Sequence, residues 1–145
     1  MSIVIFDLDG TLADLTHRLH HIQKKPKDWP SFFAECEKDK SIEPVARLLR
    51  SLCSMHQIYV FSGRSEDVRD QTEGWLADHS LQPDKLIMRK SGDFRADDVV
   101  KKEFLDALSA EERENIWFVV DDRKRVVDMW RANGLTVLQC AEGEF

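Results

Sequence analysis

Residues 2–11 read SIVIFDLDGT. A short β-branched and aromatic run, 3–6, ends on two carboxylates, Asp7 and Asp9, one position apart. The run does not alternate with polar residues, which predicts a strand covered on both faces. Apolar runs usually end in turn residues, and two acids this close repel each other, so the pattern needs a cause.

Runs of the same kind recur at 58–61, 85–88, 116–120 and 135–139. Between them apolar residues fall at helical spacing: Ile42, Val45, Leu48, Leu49, Leu52 and Cys53, then Val68, Thr72, Trp75 and Leu76. Val100, Phe104, Leu105 and Leu108 follow, and then Val126, Val127, Met129 and Trp130, with Gly134 placed to end the last helix. Alternating strand and helix predicts an α/β chain, a Rossmann-like three-layer sandwich around a central parallel five-stranded sheet. Residues 14–40 break the alternation. Leu15, Leu19 and Ile22 predict a short helix, KKPKDWPS with Pro26 and Pro30 breaks it, and Phe32, Phe33 and Cys36 predict another. This stretch reads as a small helical cap insertion over one end of the sheet.

At 145 residues the chain is expected to be a single domain, 1–145, with a core of useful size. A hydrophobic fraction of 42% and a charged fraction of 33% are those of a globular protein. No stretch is long and apolar enough for a membrane span, and 2–6 is too short for a signal-peptide core. Cys36, Cys53 and Cys140 lack metal-type spacing and read as reduced, packed thiols of a cytoplasmic protein. The net charge of -6 excludes a protein that grips long nucleic acid along its length, so a nucleic-acid substrate would be held by its end.

In an open parallel sheet, ligands bind beyond the C-terminal ends of the strands. Asp7 and Asp9 follow the first strand, Ser62, Gly63 and Arg64 the second, and Asp121 and Asp122 the fourth. The third leads through RKSGDFRADD to a helix bearing Lys101 and Lys102. Carboxylates, hydroxyls, glycine and cations at one edge fit Mg2+-assisted phosphoryl transfer. Asp7 would attack phosphorus, and Asp9 would serve as general acid and then base, with their repulsion raising one pKa. Asp7, the Asp9 carbonyl and one of Asp121 or Asp122 would hold the metal. Thr11, Ser62 and the Gly63 backbone would hold phosphate oxygens, and Lys101, in a first helical turn capped by Asp97 or Asp98, would neutralise phosphate and Asp7. A calcium loop starting at Asp7 is excluded, because its sixth and twelfth positions would be Leu12 and Arg18 rather than Gly and Glu.

DLDGT at 7–11, Ser62, a lysine after the third strand and DD at 121–122 resemble, in order, the four motifs of haloacid dehalogenase-superfamily phosphatases. FSGR, GDFRADDVVKKEF, VVDDRKRVVDMWRANG and the ending AEGEF are similar to the 3'-phosphatase domain of phage polynucleotide kinase-phosphatases. The resemblance covers nearly the whole chain and is weakest in the insertion. It implies Asp7 as nucleophile and Asp9 as acid and base, phosphate contacts from Ser62, Arg64 and Lys101, metal work from Asp121 and Asp122, and a substrate-side arginine in Arg18. It implies a nucleotide or a 3'-phosphorylated DNA or RNA end as substrate. No G-x-x-x-x-G-K-[ST] motif occurs, so no kinase domain is expected in this chain. A 5'-(deoxy)nucleotide monophosphatase is the alternative of the same chemistry, and a non-catalytic phosphate-binding module the alternative of another class.

Several residues admit two readings. His17, His20 and His21 have metal-compatible spacing but also read as exposed residues of a short helix. Trp29, Phe32 and Phe33 read equally as base-stacking residues or as packing for the insertion. KKPK at 24–27 reads as a solvated loop or as a local basic rim for holding a DNA end, Arg95 as a structural partner of Asp97 or Asp98, and Trp130 and Met129 as core.

Overall fold

The computed structural model describes residues 1–143, so the last two residues of the AEGEF ending lie outside the described residues. The chain runs β1 (Ile3–Phe6), β2 (Ala13–Asp14), α1 (His20–Gln23), α2 (Trp29–Ala34), β3 (Lys40–Ser41), α3 (Glu43–Leu52) and β4 (Gln57–Ser65). It continues through α4 (Arg69–Asp78), β5 (Lys85–Arg89), α5 (Asp97–Asp106), α6 (Ala110–Glu114), β6 (Ile116–Asp121), α7 (Lys124–Ala132) and β7 (Val137–Gln139). The main sheet has the order β5-β4-β1-β6-β7, every neighbouring pair parallel. From β1 the chain moves outward to β4 and β5, then returns to β6 and β7 on the other side. That reversal opens a crevice at the C-terminal ends of β1 and β6.

Within β1 the alternation is between two cores, as a sheet covered on both faces requires. Val4 and Phe6 pack with Leu49, Trp75 and Leu76, whereas Ile3 and Ile5 pack with Leu105, Val126 and Trp130. Each such side chain, fully buried, contributes about 1.5–3 kcal/mol. Trp130 is core as expected, and Met129 packs partly buried beside it.

The differences from the sequence reading have local causes. β4 extends to Ser65 because its register against β5 shifts between Ser62 and Ser65, carrying SGR onto the sheet edge. α5 begins at Asp97 after Ala96, so neither Asp97 nor Asp98 is the cap and Lys101 lies one or two residues further in than expected. α6 was not foreseen. It spans only 5 residues, too few for a periodic signal, and is held by a capping box between Ser109 and Glu112. Trp29 and Pro30 open α2 rather than break the chain: Asp28 accepts a hydrogen bond from the Ser31 N–H at 3.1 Å, and proline needs no donor in a first turn. Of the three unpaired cysteines only Cys36 is buried, so Cys53 and Cys140 are not the packed thiols expected.

The insertion is fastened at its stem. β2 and β3 pair antiparallel, Ala13 opposite Ser41 and Asp14 opposite Lys40. Leu15, Ile22 and Phe32 form a small core of their own.

Phe61 is fully buried between Phe104 and Trp130. Phe61→Ala should lower stability by about 3–5 kcal/mol in urea unfolding, the cost of the lost burial and the cavity left behind.

Candidate active site

The loop after β1 continues the strand's alternation. Leu8 and Leu12 are fully buried in the core with Phe6, which turns Asp7 and Asp9 away from that core. The Leu8 carbonyl accepts from the N–H groups of Thr11 (3.2 Å), Leu12 (2.9 Å) and Ala13 (2.9 Å), which closes the loop, and the Asp7 N–H donates to the Val120 carbonyl at 2.9 Å. Gly10 has φ +83, and a Cβ there would lie 2.2 Å from the Asp122 carboxylate. Only glycine lets this loop approach β6 so closely.

Asp7, Asp121 and Asp122 are buried together, with one ligand atom from each lying within 4.8 Å of the others. Lys101 donates to Asp7 at 2.5 Å and to Asp121 at 3.3 Å. The Thr11 hydroxyl, expected to hold a phosphate oxygen, lies 3.2 Å from Asp7 and 3.1 Å from Asp122 and so spaces the two carboxylates. Asp121 is fully engaged: besides Lys101 it accepts from the N–H groups of Asp122 (2.8 Å) and Arg123 (3.3 Å) and from the Trp130 indole (3.1 Å). Burial, then Asp121, pushes the Asp7 carboxyl well above its usual range, with Lys101 opposing. Burial favours the neutral form of Lys101, but Asp121, Asp7 and Asp97 outweigh it and keep the ammonium charged. Cys140, though an exposed residue, turns its sulfur to within 3.7 Å of the Thr11 hydroxyl, where desolvation of the sulfur pushes the thiol up to about 11, so it adds no charge.

Asp9 belongs to a second set. It accepts from Arg18 at 2.6 Å and from Arg64 at 2.7 Å. Burial pushes its carboxyl up, but Arg64 and Arg18 together lower it to about 2. The expectation that repulsion between Asp7 and Asp9 raises one pKa is corrected: Asp7 is raised by burial and Asp121, and Asp9 is lowered by the arginines. Behind Asp9 lies Asp39, which sequence reasoning missed. Its buried carboxylate accepts from Arg18 Nε (2.8 Å) and Nη2 (2.7 Å), from Arg64 Nη2 (3.1 Å), and has His17 Nε2 at 2.6 Å. Arg18 and Arg64, expected on the substrate side, are buried here and off the cavity wall, with further bonds to the Phe32 carbonyl and the Thr72 hydroxyl. Asp39 lies within a charged run, EKDK at 37–40, and nothing in that run distinguishes a buried acid from a solvated one.

A cavity of about 640 Å³ opens over this edge. Asp7, Asp9 and Gly63 line it together with Trp29, Phe33 and Phe94. The Ser62 hydroxyl is buried and accepts from the Arg64 N–H at 3.1 Å. Asp97 and Arg89 also line it: Arg89 donates to the Gly63 carbonyl at 2.8 Å and to Asp97 at 3.2 Å. Sequence reasoning offered Asp97 only as a cap or as a partner for Arg95. Arg95 instead pairs with Asp93 and Glu103. Lys102 bonds exposed Asp106, which leaves Lys101 as the site lysine.

A parallel sheet carrying Asp7-x-Asp9 after its central strand, a lysine opposite and an acidic pair after the neighbouring strand defines a haloacid dehalogenase-like phosphatase. The chain belongs to the family described as the polynucleotide kinase PNKP phosphatase domain, whose model it matches over residues 1–145. Among solved structures, it is 33% identical to a chain of a Pnkp1/Rnl/Hen1 complex, with a TM-score of 0.83 over 99% of this chain and 47% of that one. A Pnkp1/Rnl/Hen1 RNA repair complex gives the same identity and TM-score over 43% of its chain, so this chain spans about half the length of those it matches. A class C acid phosphatase from Bacillus anthracis shares the fold, with a TM-score of 0.67 at 12% identity over 99% of this chain and 68% of that one.

Asp39→Asn leaves two buried arginines with one carboxylate and should cost about 3–5 kcal/mol in urea unfolding. Because the Asp9 pKa is about 2 in the fold against 3.8 normally, its ion pairs stabilise the protein above about pH 3.8. That contribution is lost as pH falls toward about 2. Acid unfolding followed by circular dichroism should therefore steepen across this window, and Asp9→Asn should flatten that slope.

Proposed function

We propose that this phosphatase removes 3'-phosphates from nucleic-acid ends or nucleotides, in a Mg2+-dependent reaction that passes through an aspartyl-phosphate on Asp7. The observation that carries the reading is the division of the two acids at one cavity floor, Asp7 beside Lys101 and Asp9 beside two arginines. Membership of the polynucleotide family and the 33% identity to a chain of an RNA repair complex support the substrate class.

Three buried carboxylates around one lysine carry excess negative charge, and their all-oxygen donor set fits a hard divalent cation. Asp7, Asp122 and the Asp9 carbonyl would hold it. Asp121 would orient the cluster from behind, because both its oxygens already accept hydrogen bonds. When bound, Mg2+ offsets the charge of the carboxylates and of the phosphoryl group.

In the first half-reaction an Asp7 carboxylate oxygen forms the bond to phosphorus as the bond to the leaving oxygen breaks, and Asp9 hands that oxygen a proton. Asp9 is held ionised by Arg18 and Arg64, so the proton enters with the substrate as a phosphate monoanion, whose second pKa is about 6. In the second half-reaction the ionised Asp9 takes a proton from water, whose oxygen attacks phosphorus and releases Asp7 and inorganic phosphate. Lys101 would balance charge on Asp7, and the Gly63 backbone, which lines the cavity, and the neighbouring Ser62 hydroxyl would hold phosphate oxygens. The whole chain acts as one phosphatase domain, with residues about 14–40 as its cap. Three unpaired cysteines support a reducing, cytoplasmic setting, and no helix among the described residues is long and apolar enough to cross a membrane.

Asp7→Asn should cut turnover by at least ~10³-fold with the far-ultraviolet spectrum unchanged. Chelation should abolish phosphate release and added Mg2+ restore it. Oligonucleotide 3'-phosphates should turn over faster than 5'-mononucleotides; the reverse ranking selects the 5'-nucleotidase alternative. The rate should fall as pH rises through about 6, where the substrate loses the proton that Asp9 relays.

A further inference from the structure

We infer that the cavity above Asp7 and Asp9 holds the nucleobase of the phosphate-bearing nucleoside against an aromatic wall formed by Trp29 and Phe33 on α2 and Phe94 on the β5–α5 loop. The inference rests on the proposed nucleotide substrate and adds which residues grip its leaving group.

A phosphoryl group alone does not account for about 640 Å³, and these aromatic side chains line the same space as the two acids. Trp29 and Phe33 stack with ring centres 5.9 Å apart at 24°, and Trp29 remains 39% exposed. The third ring of α2, Phe32, is the anchor. It is buried, with the Arg18 guanidinium 4.3 Å over its ring, and the same arginine bonds Asp9. The wall and the general acid therefore share one support.

Phe94 is 90% exposed, yet its loop is firmly held. Arg89 donates to the carbonyls on either side, Asp93 at 3.2 Å and Arg95 at 2.6 Å, and the Asp93 carboxylate accepts from the Arg95 N–H at 3.1 Å. Gly92 supplies the turn with φ +79. A large apolar ring displayed by a braced loop at the rim of a reactive cavity needs a flat apolar partner. Every base has such a face, and stacking on it tolerates sequence.

The test compares a 3'-phosphorylated oligothymidylate with the same oligomer ending in a 3'-phosphorylated abasic tetrahydrofuran residue. The base should raise kcat/KM about ten-fold or more, the size of one base–aromatic stack. Phe94→Ala and Trp29→Ala should each bring that ratio down several-fold. Trp117→Ala, a 53% exposed tryptophan near the start of β6, should leave it intact. Equal kcat/KM for both substrates in the unaltered protein, a ratio that survives Phe94→Ala, or an equal fall in Trp117→Ala overturns the inference. If only 5'-nucleotides are hydrolysed, the 3'-specific reading fails instead, and the same ratio measured on a 5'-nucleotide against deoxyribose 5-phosphate decides the base contact.

Discussion

Separate cations for two neighbouring acids set the terms of the site. Leu8 belongs to the same core as Phe6, which turns both Asp7 and Asp9 away from that core, and the tight turn closed on the Leu8 carbonyl then leaves each acid with its own partners. Asp7 goes to Lys101 and the acids at the end of β6, and Asp9 goes to Arg18 and Arg64. Two carboxylates that would repel if they met are held by opposite cations in separate surroundings. Their protonation tendencies diverge as a result, Asp7 upward and Asp9 downward.

Burying this much charge is costly, and the cost falls only when each ion is matched. On the Asp9 side the match is complete: Arg18 and Arg64 face Asp9 and Asp39. Arg18 and Asp39 both come from the insertion and Arg64 from β4, so the insertion is tied to the sheet by the groups that orient Asp9. On the Asp7 side the match is incomplete, since three clustered carboxylates share one lysine. That imbalance is the physical basis for proposing a divalent cation there and nowhere else in the site.

The sheet edge and the insertion contribute differently. The sheet supplies the acids, the lysine and the close backbone approaches at Gly10 and Gly63, where a Cβ would meet Asp122 and Asp97 at 2.2 Å. The class C acid phosphatase shares that scaffold at 12% identity. The insertion supplies the aromatic face and the support behind Asp9, which is where choice of leaving group would be made.

The sequence by itself determined the layers and the edge of the site. Five unalternating apolar runs separated by helical periodicity specify a parallel sheet, and acids placed straight after its strands converge at its C-terminal edge because every strand points the same way. It also gave the family, since the motifs around Asp7, Ser62, Lys101 and Asp121–Asp122 are local strings. Only the tertiary structure decided the partnerships. Asp39 as the acid between two arginines and Thr11 as a spacer against Asp122 depend on side chains meeting across 21 or more residues, while Arg89 with Asp97 and Asp121 with Trp130 meet across 8 and 9 and are equally without a sequence signal. Hydrophobic period records which residues face inward, but a buried ion pair has no period, and its members look like any other surface charges until the chain brings them together.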